Sequence, residues 1–362
     1  MELTISDFNP LADLDQISPE LENLFDQAEQ IYPEWCLDWF RLIAKHALSP
    51  GQHARFICAN APGEQSISAI LPVMEEPRLH RISGLSTFYT SLFSPICKGH
   101  RETRALTPIF VKLLHAGWPE LRLAPMPHEN PMFESTLSSL RTAGWRAYSF
   151  FCFGNWYQPS AGLSFERYFN DRSSQVRNTY LRRSKKFFAE GRGRLDLVKC
   201  DAVEPAIQIW QDIYAASWKV PEPFPDFMPE LIRLCARKGW LRMAIAYFDD
   251  RPIAAQIWIV HQGRAAIYKL AYDEKHARHS AGTLLTVFLM QHVLDIDKVD
   301  EVDYLIGDDP YKQDWVSHRR ERWGIVAYNP RTWRGGAGWL REAAGRVLKK
   351  WLKKPSDTNA AP

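Results

Sequence analysis

The sequence lacks the features that mark metal clusters, disulfide scaffolds and membrane spans. Its six cysteines are scattered along the chain without a CxxC pair or a Cys/His cluster, so zinc and iron–sulfur sites have no support. No apolar run approaches the ~18 residues of a transmembrane helix. Residues Met1 to Asp7 show neither the basic nor the apolar stretch of a secretory signal. We therefore expect a cytoplasmic protein with reduced, buried cysteines and no metal.

Net charge is also nearly absent. Lys and Arg number 45 and Asp and Glu 42, a balance of +3 that predicts no specific nucleic-acid partner. The charge is nevertheless uneven, because residues 171–194 hold eight basic and two acidic residues and residues 339–354 hold six and one. Two basic surfaces on an otherwise acidic body predict anionic partners at those places.

The order of helical and strand patterns predicts an α/β (α+β) fold with a mixed central sheet flanked by helices. The second half is clearest: three strands follow one another closely at 241–248, 253–260 and 265–272, before a helix and a further strand. A similar order recurs in the first half, which predicts two tandem modules. The predicted segments are a degenerate N-terminal module (1–155), a linker (154–162), a C-terminal module (160–332) and a basic amphipathic helix with a tail (333–362).

A strand, a basic loop with small residues and an apolar helix follow one another after residue 267. Free backbone N–H groups at such a helix start, with the helix dipole, suit a pyrophosphate, and Arg278 could add a charged contact. An ordinary strand-to-helix connection, with Ser280 as N-cap and Gly282 in the first turn, explains the same residues.

A second polar loop follows the strand that ends near Ile306. It carries Asp308, Asp309, Tyr311 and Lys312. A carboxylate could deprotonate an amine, and a phenol could protonate a leaving thiolate. A turn that caps a helix starting near Pro310 accounts for Asp308, but not for the neighbouring tyrosine and lysine.

These strings resemble a known superfamily. Tyr268-Lys-Leu-Ala-Tyr-Asp273, Ser280-Ala-Gly-Thr-Leu-Leu285 and Gly307-Asp-Asp-Pro-Tyr-Lys-Gln-Asp-Trp315 are similar to the GCN5-related N-acetyltransferases (GNAT). The likeness is to their CelD/BioF-like branch, which is related to the Fem peptidyltransferases, and it covers roughly residues 150–330. The usual coenzyme A loop, Gln/Arg-x-x-Gly-x-Gly/Ala, is kept only in part, since Ala281 and Thr283 stand at its glycine-type positions.

The resemblance implies GNAT-like modules, acyl-coenzyme A as co-substrate and an amine acceptor, such as an amino sugar of exopolysaccharide or cell-envelope metabolism. Backbone N–H groups of a splayed strand, 267–272, would polarise the thioester carbonyl. The implied catalytic residues are Asp308 (base, with Asp309 as an alternative), Tyr311 (acid) and Lys269. The implied coenzyme A site is Tyr272, Arg278, Ser280, Ala281, Gly282 and Thr283. The implied acceptor site is Tyr268, Trp218, Lys219 and Lys312.

Several alternatives stay open at this level. Strand alternation predicts Tyr268 and Lys269 on opposite faces, and Lys269 could equally be a solvated edge lysine. A Fem-like transferase using aminoacyl-tRNA is a second function, although no coiled-coil arm is visible. A non-catalytic scaffold in polysaccharide production is a third.

The two basic segments have alternatives of their own. The helix around residues 177–194 could hold a phosphate-bearing substrate, or could be a solvated face with Leu181, Phe187 and Phe188 turned inward. The terminal helix could contact an anionic membrane, or could dock its apolar face on the domain. That face consists of Leu340, Ala343, Ala344, Val347, Leu348, Trp351 and Leu352. The sequence carries no signature of an oligomeric state.

Overall fold

The computed structural model describes residues 5–9, 17–60, 66–99 and 103–352. The strands are β1 (Ile5–Phe8), β2 (His53–Asn60), β3 (Ile67–Glu76), β4 (Arg81–Gly84), β5 (Ile96–Cys97), β6 (Glu120–Pro127), β7 (Arg146–Pro159), β8 (Gly193–Leu197), β9 (Leu241–Phe248), β10 (Arg251–His261), β11 (Arg264–Tyr272), β12 (Glu301–Asp303) and β13 (His318–Tyr328). The α-helices are α1 (Pro19–Glu29), α2 (Leu37–His46), α3 (Leu106–His115), α4 (Pro131–Thr142), α5 (Phe165–Asn170), α6 (Ser174–Phe187), α7 (Val203–Ala215), α8 (Phe227–Arg237), α9 (Ala281–Asp295) and α10 (Trp333–Leu352).

The chain divides into two compact units. The first contains residues 1–25, 48–152 and 323–362, and the second contains 26–47 and 153–322. Two segments lie in a different unit from the one predicted for them. Residues 26–47 were expected in the first module but fall in the second unit, and residues 323–332 were expected in the second module but fall in the first unit. The predicted module boundaries stay a prediction.

The first unit is a mixed sheet with helices packed on it. Its strand order is β1-β2-β3-β4-β6-β13-β7, and β4 and β6 run parallel. The core places Phe110 of α3 and Phe133 of α4 against strand residues such as Leu71 and Leu121. Burial of such side chains is the main source of stability in a layered fold of this kind.

The second unit has the same kind of architecture. Its order is β7-β12-β11-β10-β9-β8, with β9, β10 and β11 antiparallel and β12 parallel to β11. The apolar side of α9, including Leu284 and Leu289, packs on Ala254 and Trp258 of β10. The two units thus repeat one order of elements: three antiparallel strands, a helix and a parallel strand. The prediction of a mixed sheet flanked by helices is confirmed.

The predicted linker is wrong for most of its length. Residues 154–159 belong to β7, a strand of 14 residues. Glycine at 154 and proline at 159 favour a loop locally, but the buried Asn155 hydrogen-bonds Asp303 and the Leu305 carbonyl, and β7 pairs with β12. These contacts between distant segments override the local preference.

The terminal helix α10 docks one side and exposes the other. A Cβ atom added at Gly338 would lie 2.8 Å from the Tyr328 ring, and Trp339 donates to the Tyr148 hydroxyl at 2.7 Å. In contrast, Leu340, Val347 and Leu348 are 63%, 58% and 61% exposed. The docked interpretation is therefore wrong for these three side chains. The side chains of Trp351 and Leu352 lie outside the description. No helix within the described ranges is long and apolar enough to cross a bilayer.

Candidate active site

Strands β11 and β12 part after a short parallel pairing. Only Arg264, Ala265 and Ala266 of β11 pair with β12, whose last residue is Asp303. The rest of β11, residues 267–272, extends beyond β12. Residues 267–272 of β11 thus form the splayed strand that the resemblance to GNAT proteins implied.

A buried carboxylate fixes the point where the strands part. Asp303 is fully buried and accepts hydrogen bonds from the Leu305 amide (2.7 Å), the Asn155 side chain (2.6 Å) and Arg320 (2.6 Å). The bond to Leu305 turns the chain out of the strand direction, and Leu305 has a left-handed φ of 50°. Because a buried charge needs such partners, this group holds the beginning of the loop rigidly.

A β-bulge lies where β11 starts to extend beyond β12. Ile257 of β10 pairs with Lys269 and Trp258 pairs with Ile267, so Tyr268 is an extra residue on β11. Bulges often lie next to active sites, where they change the direction of a side chain or a backbone group.

The bulge places Tyr268 and Lys269 on the same face of the sheet. Ile257 and Ile259 share a face of β10, and their partners on β11 are Lys269 and Ala266. Tyr268 lines the same small cavity as Ile259 and Ala266. The prediction of opposite faces is wrong, because the extra residue interrupts the alternation.

Both predicted polar turns lie at one edge of the sheet. The turn before α9 follows the carboxyl end of β11, and the loop of Asp308 follows the carboxyl end of β12, its parallel neighbour. Ile267, Val287 and Tyr304 pack in one apolar cluster and fill the space between the diverging strands on the α9 side. Ligands commonly bind at such an edge in α/β sheets.

The N-terminus of α9 is open to an anion. Ser280 occupies the cap position with a left-handed φ of 54°, and its side chain does not cap the helix. Ser280 therefore lies at the N-cap position, but its side chain does not form the capping hydrogen bond. The amides of Ala281, Gly282 and Thr283 belong to the first turn, where no helical acceptor is available. Gly282 packs closely on β11, since an added Cβ would lie 3.1 Å from Leu270.

The basic helix α6 lies beside this N-terminus. Arg183 of α6 donates to the Arg278 carbonyl at 2.8 Å, and the ring of Phe187 contacts that of His279. Burial, then Arg278 and other cations, lower the pKa of His279. Of the residues predicted to turn inward, Phe187 is buried, whereas Leu181 and Phe188 are exposed.

Three buried nitrogen atoms on α6 and in the turn before α9 have no hydrogen-bond partner among the described residues. They are Nε of Arg177 and of Arg183 on α6, and Nδ1 of His276 in the turn. Unpartnered buried polar atoms of this kind are rare and require an explanation. An anionic group bound at this place would provide acceptors, so the residues present fit a phosphate-bearing ligand.

Asp308 is held in an ion pair. Both carboxylate oxygens accept from Arg319, at 2.7–3.1 Å, and one accepts from the Trp156 indole at 2.7 Å. The Arg319 hydrogen bonds lower the pKa of Asp308, which makes it a weaker base. A Cβ atom at Gly154 would lie 2.6 Å from this pair, which explains the glycine there. The sequence did not reveal Arg319 or Trp156 as partners.

Tyr311 and Lys312 have different environments. Tyr311 is 56% exposed, and partial burial with the Asp309 carboxylate raises its pKa, so the phenol keeps its proton. Lys312 is only 4% exposed and donates to the carbonyls of Ile306 (2.6 Å), Gly307 (3.1 Å) and Tyr304 (3.3 Å). Its ammonium therefore holds the loop together, which argues against the substrate contact predicted for it.

A second polar cluster joins β11 to the loop between α7 and α8. Lys269 forms a buried ion pair with Glu222 at 2.7 Å, and the ring of Trp218 packs on that of Tyr272 at 4.3 Å. Lys219 lies in the same loop. The structure thus brings together four predicted site residues, which are Trp218, Lys219, Lys269 and Tyr272. It adds Glu222, which the sequence analysis missed and which the sequence marks only by its position between two prolines.

The splayed part of β11, the α9 N-terminus and the Asp308 loop fall within a single recognisable segment. A family model described as "Acetyltransferase (GNAT) domain" matches residues 174–313. Residues 174–313 are a GNAT domain. The chain is accordingly an acyltransferase, and the resemblance inferred from its motifs is confirmed.

Solved structures share the fold of this chain at low identity. The C-terminal domain (DUF2156) of a putative lysylphosphatidylglycerol synthetase from Agrobacterium fabrum is 12% identical (TM-score 0.50, 78% of this chain, 85% of that one). FemX is 8% identical (TM-score 0.53, 80% and 94%). A conserved protein of unknown function from Bacteroides thetaiotaomicron is 7% identical (TM-score 0.51, 90% and 100%). At these identities the likeness shows the fold alone. No curated protein sequence matches the chain.

The role of Asp303 can be tested by its removal. Asp303→Ala removes the buried acceptor of the Leu305 amide, Asn155 and Arg320, and leaves Arg320 only its ion pair with Glu301. The free energy of unfolding should fall by about 1–3 kcal/mol, the cost of leaving buried donors unsatisfied. Denaturant unfolding of the full chain measures the loss. Glu204→Ala, which breaks an exposed pair with Arg233, is the control and should change stability little. Equal stability of both variants would contradict the assignment.

Proposed function

We propose that the protein transfers an acyl group from acyl-coenzyme A to an amine, with an amino sugar of exopolysaccharide or cell-envelope metabolism as the acceptor class. One observation carries the proposal. The overhanging residues 267–272 of β11 end at the turn that leads into the open N-terminus of α9, on the edge that also bears the Asp308 loop.

The phosphate groups of coenzyme A would bind at the α9 N-terminus. The first-turn amides and the dipole of this 15-residue helix favour an anion there. The unpartnered Nε of Arg183, whose side chain already contacts this turn, would supply a further donor, and His276 in the same turn would supply one as its Nδ1–H tautomer. Ala281 and Thr283 do not prevent such binding, because the contacts come from backbone N–H groups.

The overhang of β11 suits the reacting carbonyl. Acyl-coenzyme A supplies an activated thioester and a thiolate leaving group. Backbone N–H groups of residues 267–272 would polarise the carbonyl in the manner of an oxyanion hole, and Lys269 lies on the same stretch. Binding both reactants at one edge converts the reaction into an intramolecular one, which supplies much of the rate enhancement.

Two residues after β12 are the candidates for proton transfer. Tyr311 carries its proton at neutral pH, as an ordinary phenol does, and can donate it to the departing thiolate, although its raised pKa makes it a weaker acid. Asp308 would accept the proton of the attacking amine, directly or through water. Its ion pair with Arg319 orients the carboxylate but weakens it as a base.

Isothermal titration of the full chain with acetyl-coenzyme A tests the donor site. Gly282→Trp should abolish binding, because a Cβ there already lies 3.1 Å from Leu270 and the larger side chain would displace the α9 N-terminus from β11. Gly345→Trp is the matched control, since an added Cβ there meets nothing within 4 Å, and it should bind normally. Circular dichroism checks that both variants fold.

Absence of binding to acetyl- and longer acyl-coenzyme A would overturn this proposal. It would favour the second function, a transferase with an aminoacyl-tRNA donor, since FemX shares the fold. Equal binding by the Gly282→Trp variant would instead place the coenzyme at another surface.

The proton-transfer roles predict distinct kinetic changes. Tyr311→Phe should lower kcat at least about 100-fold, a typical loss for a general acid. If Asp308 is the base, Asp308→Asn should remove the acidic limb of the kcat profile against pH. Arg319→Gln should move that limb to higher pH, because the cation that lowers the pKa of Asp308 is gone. Wild-type kcat in Tyr311→Phe, or an unmoved limb in Arg319→Gln, would remove the corresponding role.

We further propose that α10 contacts the surface of an anionic membrane, which would make a cytoplasmic enzyme peripheral to the inner membrane. Leu340, Val347 and Leu348 form an exposed apolar stripe at helical spacing. Arg341 and Arg346 lie beside this stripe, and four lysines follow it in the sequence. A basic amphipathic helix of this kind binds at lipid headgroups.

Vesicle flotation tests the contact. The triple variant Leu340→Ser, Val347→Ser and Leu348→Ser should bind phosphatidylglycerol-containing vesicles several-fold less than the wild-type chain, and neither should bind pure phosphatidylcholine well. Leu79→Ser, which changes an exposed leucine outside α10, is the control. Equal flotation of the triple variant and the wild type would contradict membrane contact through α10.

A further inference from the structure

An ion pair and a second lysine lie side by side at the overhang of β11. Lys269 pairs with Glu222 at 2.7 Å, and both side chains are largely buried. The ammonium of Lys219 lies 5.8 Å from the centre of the Tyr214 ring, and that of Lys269 lies 6.0 Å from the same ring. The group therefore holds two cations and one anion around a single aromatic side chain.

The ammonium of Lys219 has no carboxylate within ion-pair distance in the described part of the chain. It faces the rings of Tyr214 and Trp218, and lies 5.6 Å from the centre of the latter. Burial, then the neighbouring Lys269, lower the pKa of Lys219 to about 8. A half-buried cation beside another cation is costly unless an anion compensates it, and such a group in a cleft marks a functional site.

We infer that this group is a subsite for an anionic substituent of the acceptor, a phosphate or a carboxylate, bound by Lys219 and Lys269. The inference rests on the proposed function, because it places the acceptor beside the residues of β11 that would hold the acyl carbonyl. The packed rings of Trp218 and Tyr272 border the same loop and supply a flat surface of the kind on which a sugar ring rests.

The subsite can be tested without acyl transfer. The full chain is labelled at pH 8 with trace acetic anhydride, and the rate at each lysine is read by mass spectrometry. Inorganic phosphate or acetate, compared with NaCl at equal ionic strength, should slow labelling of Lys219 several-fold, and whichever anion protects more identifies the class. Exposed Lys45 on α2 is the internal control. Equal protection of both lysines, or none of Lys219, would overturn the inference.

A second test compares the KM values of neutral and anionic acceptors. With acetyl-coenzyme A as donor, glucosamine is compared with its 6-phosphate and with the carboxylated amino sugar muramic acid. Lys219→Met should raise KM for the preferred anionic acceptor about tenfold more than for glucosamine, and Lys219→Arg should restore the preference. An unchanged preference in Lys219→Met would overturn the subsite. Failure of transfer with every acceptor would count against the proposed function, while the labelling result would still decide the anion subsite.

Discussion

The buried carboxylate of Asp303 is the constraint on which the site depends. It ends the pairing of β12 with β11 after three residues and redirects the chain through its bond to the Leu305 amide. If β12 continued along β11, the backbone of residues 267–272 would be occupied by strand hydrogen bonds. The overhang of β11 therefore follows from an interrupted ladder, whose interruption is stabilised by hydrogen bonds from Asn155 and Arg320.

The two units show what this interruption contributes. Each contains three antiparallel strands, a helix and a parallel strand, but in the first unit β4 ends at Gly84, one residue after its pairing with β6 stops at Ser83. No overhang comparable to residues 267–272 is left there. An added Cβ at Gly84 would lie 2.8 Å from the Phe93 ring, so side-chain packing occupies the end of that strand. The same topology thus ends in side-chain packing in one unit and in an overhanging strand in the other.

Electrostatics divide the site into two regions with different tasks. Around the α9 N-terminus, backbone amides and side chains such as Arg183 present donors to an anion. Between α7 and α8, Glu222 pairs with Lys269 and offsets the charge of Lys219 only in part. The low dielectric of half-buried positions strengthens both effects. A donor with phosphate groups and an anionic acceptor would therefore meet at the overhang of β11 from separate charged regions.

The sequence by itself determined the elements and the site's outline. Residues 241–248 were predicted as a strand and form one, because local alternation and flanking turns decide it; the Asp308 and Gly282 turns were singled out for the same reason. Only the tertiary structure decided that β7 continues through the presumed linker, that a bulge puts Tyr268 beside Lys269, and that Lys312 binds carbonyls. Each of these depends on pairing or burial between residues far apart in the chain, which local sequence patterns do not encode.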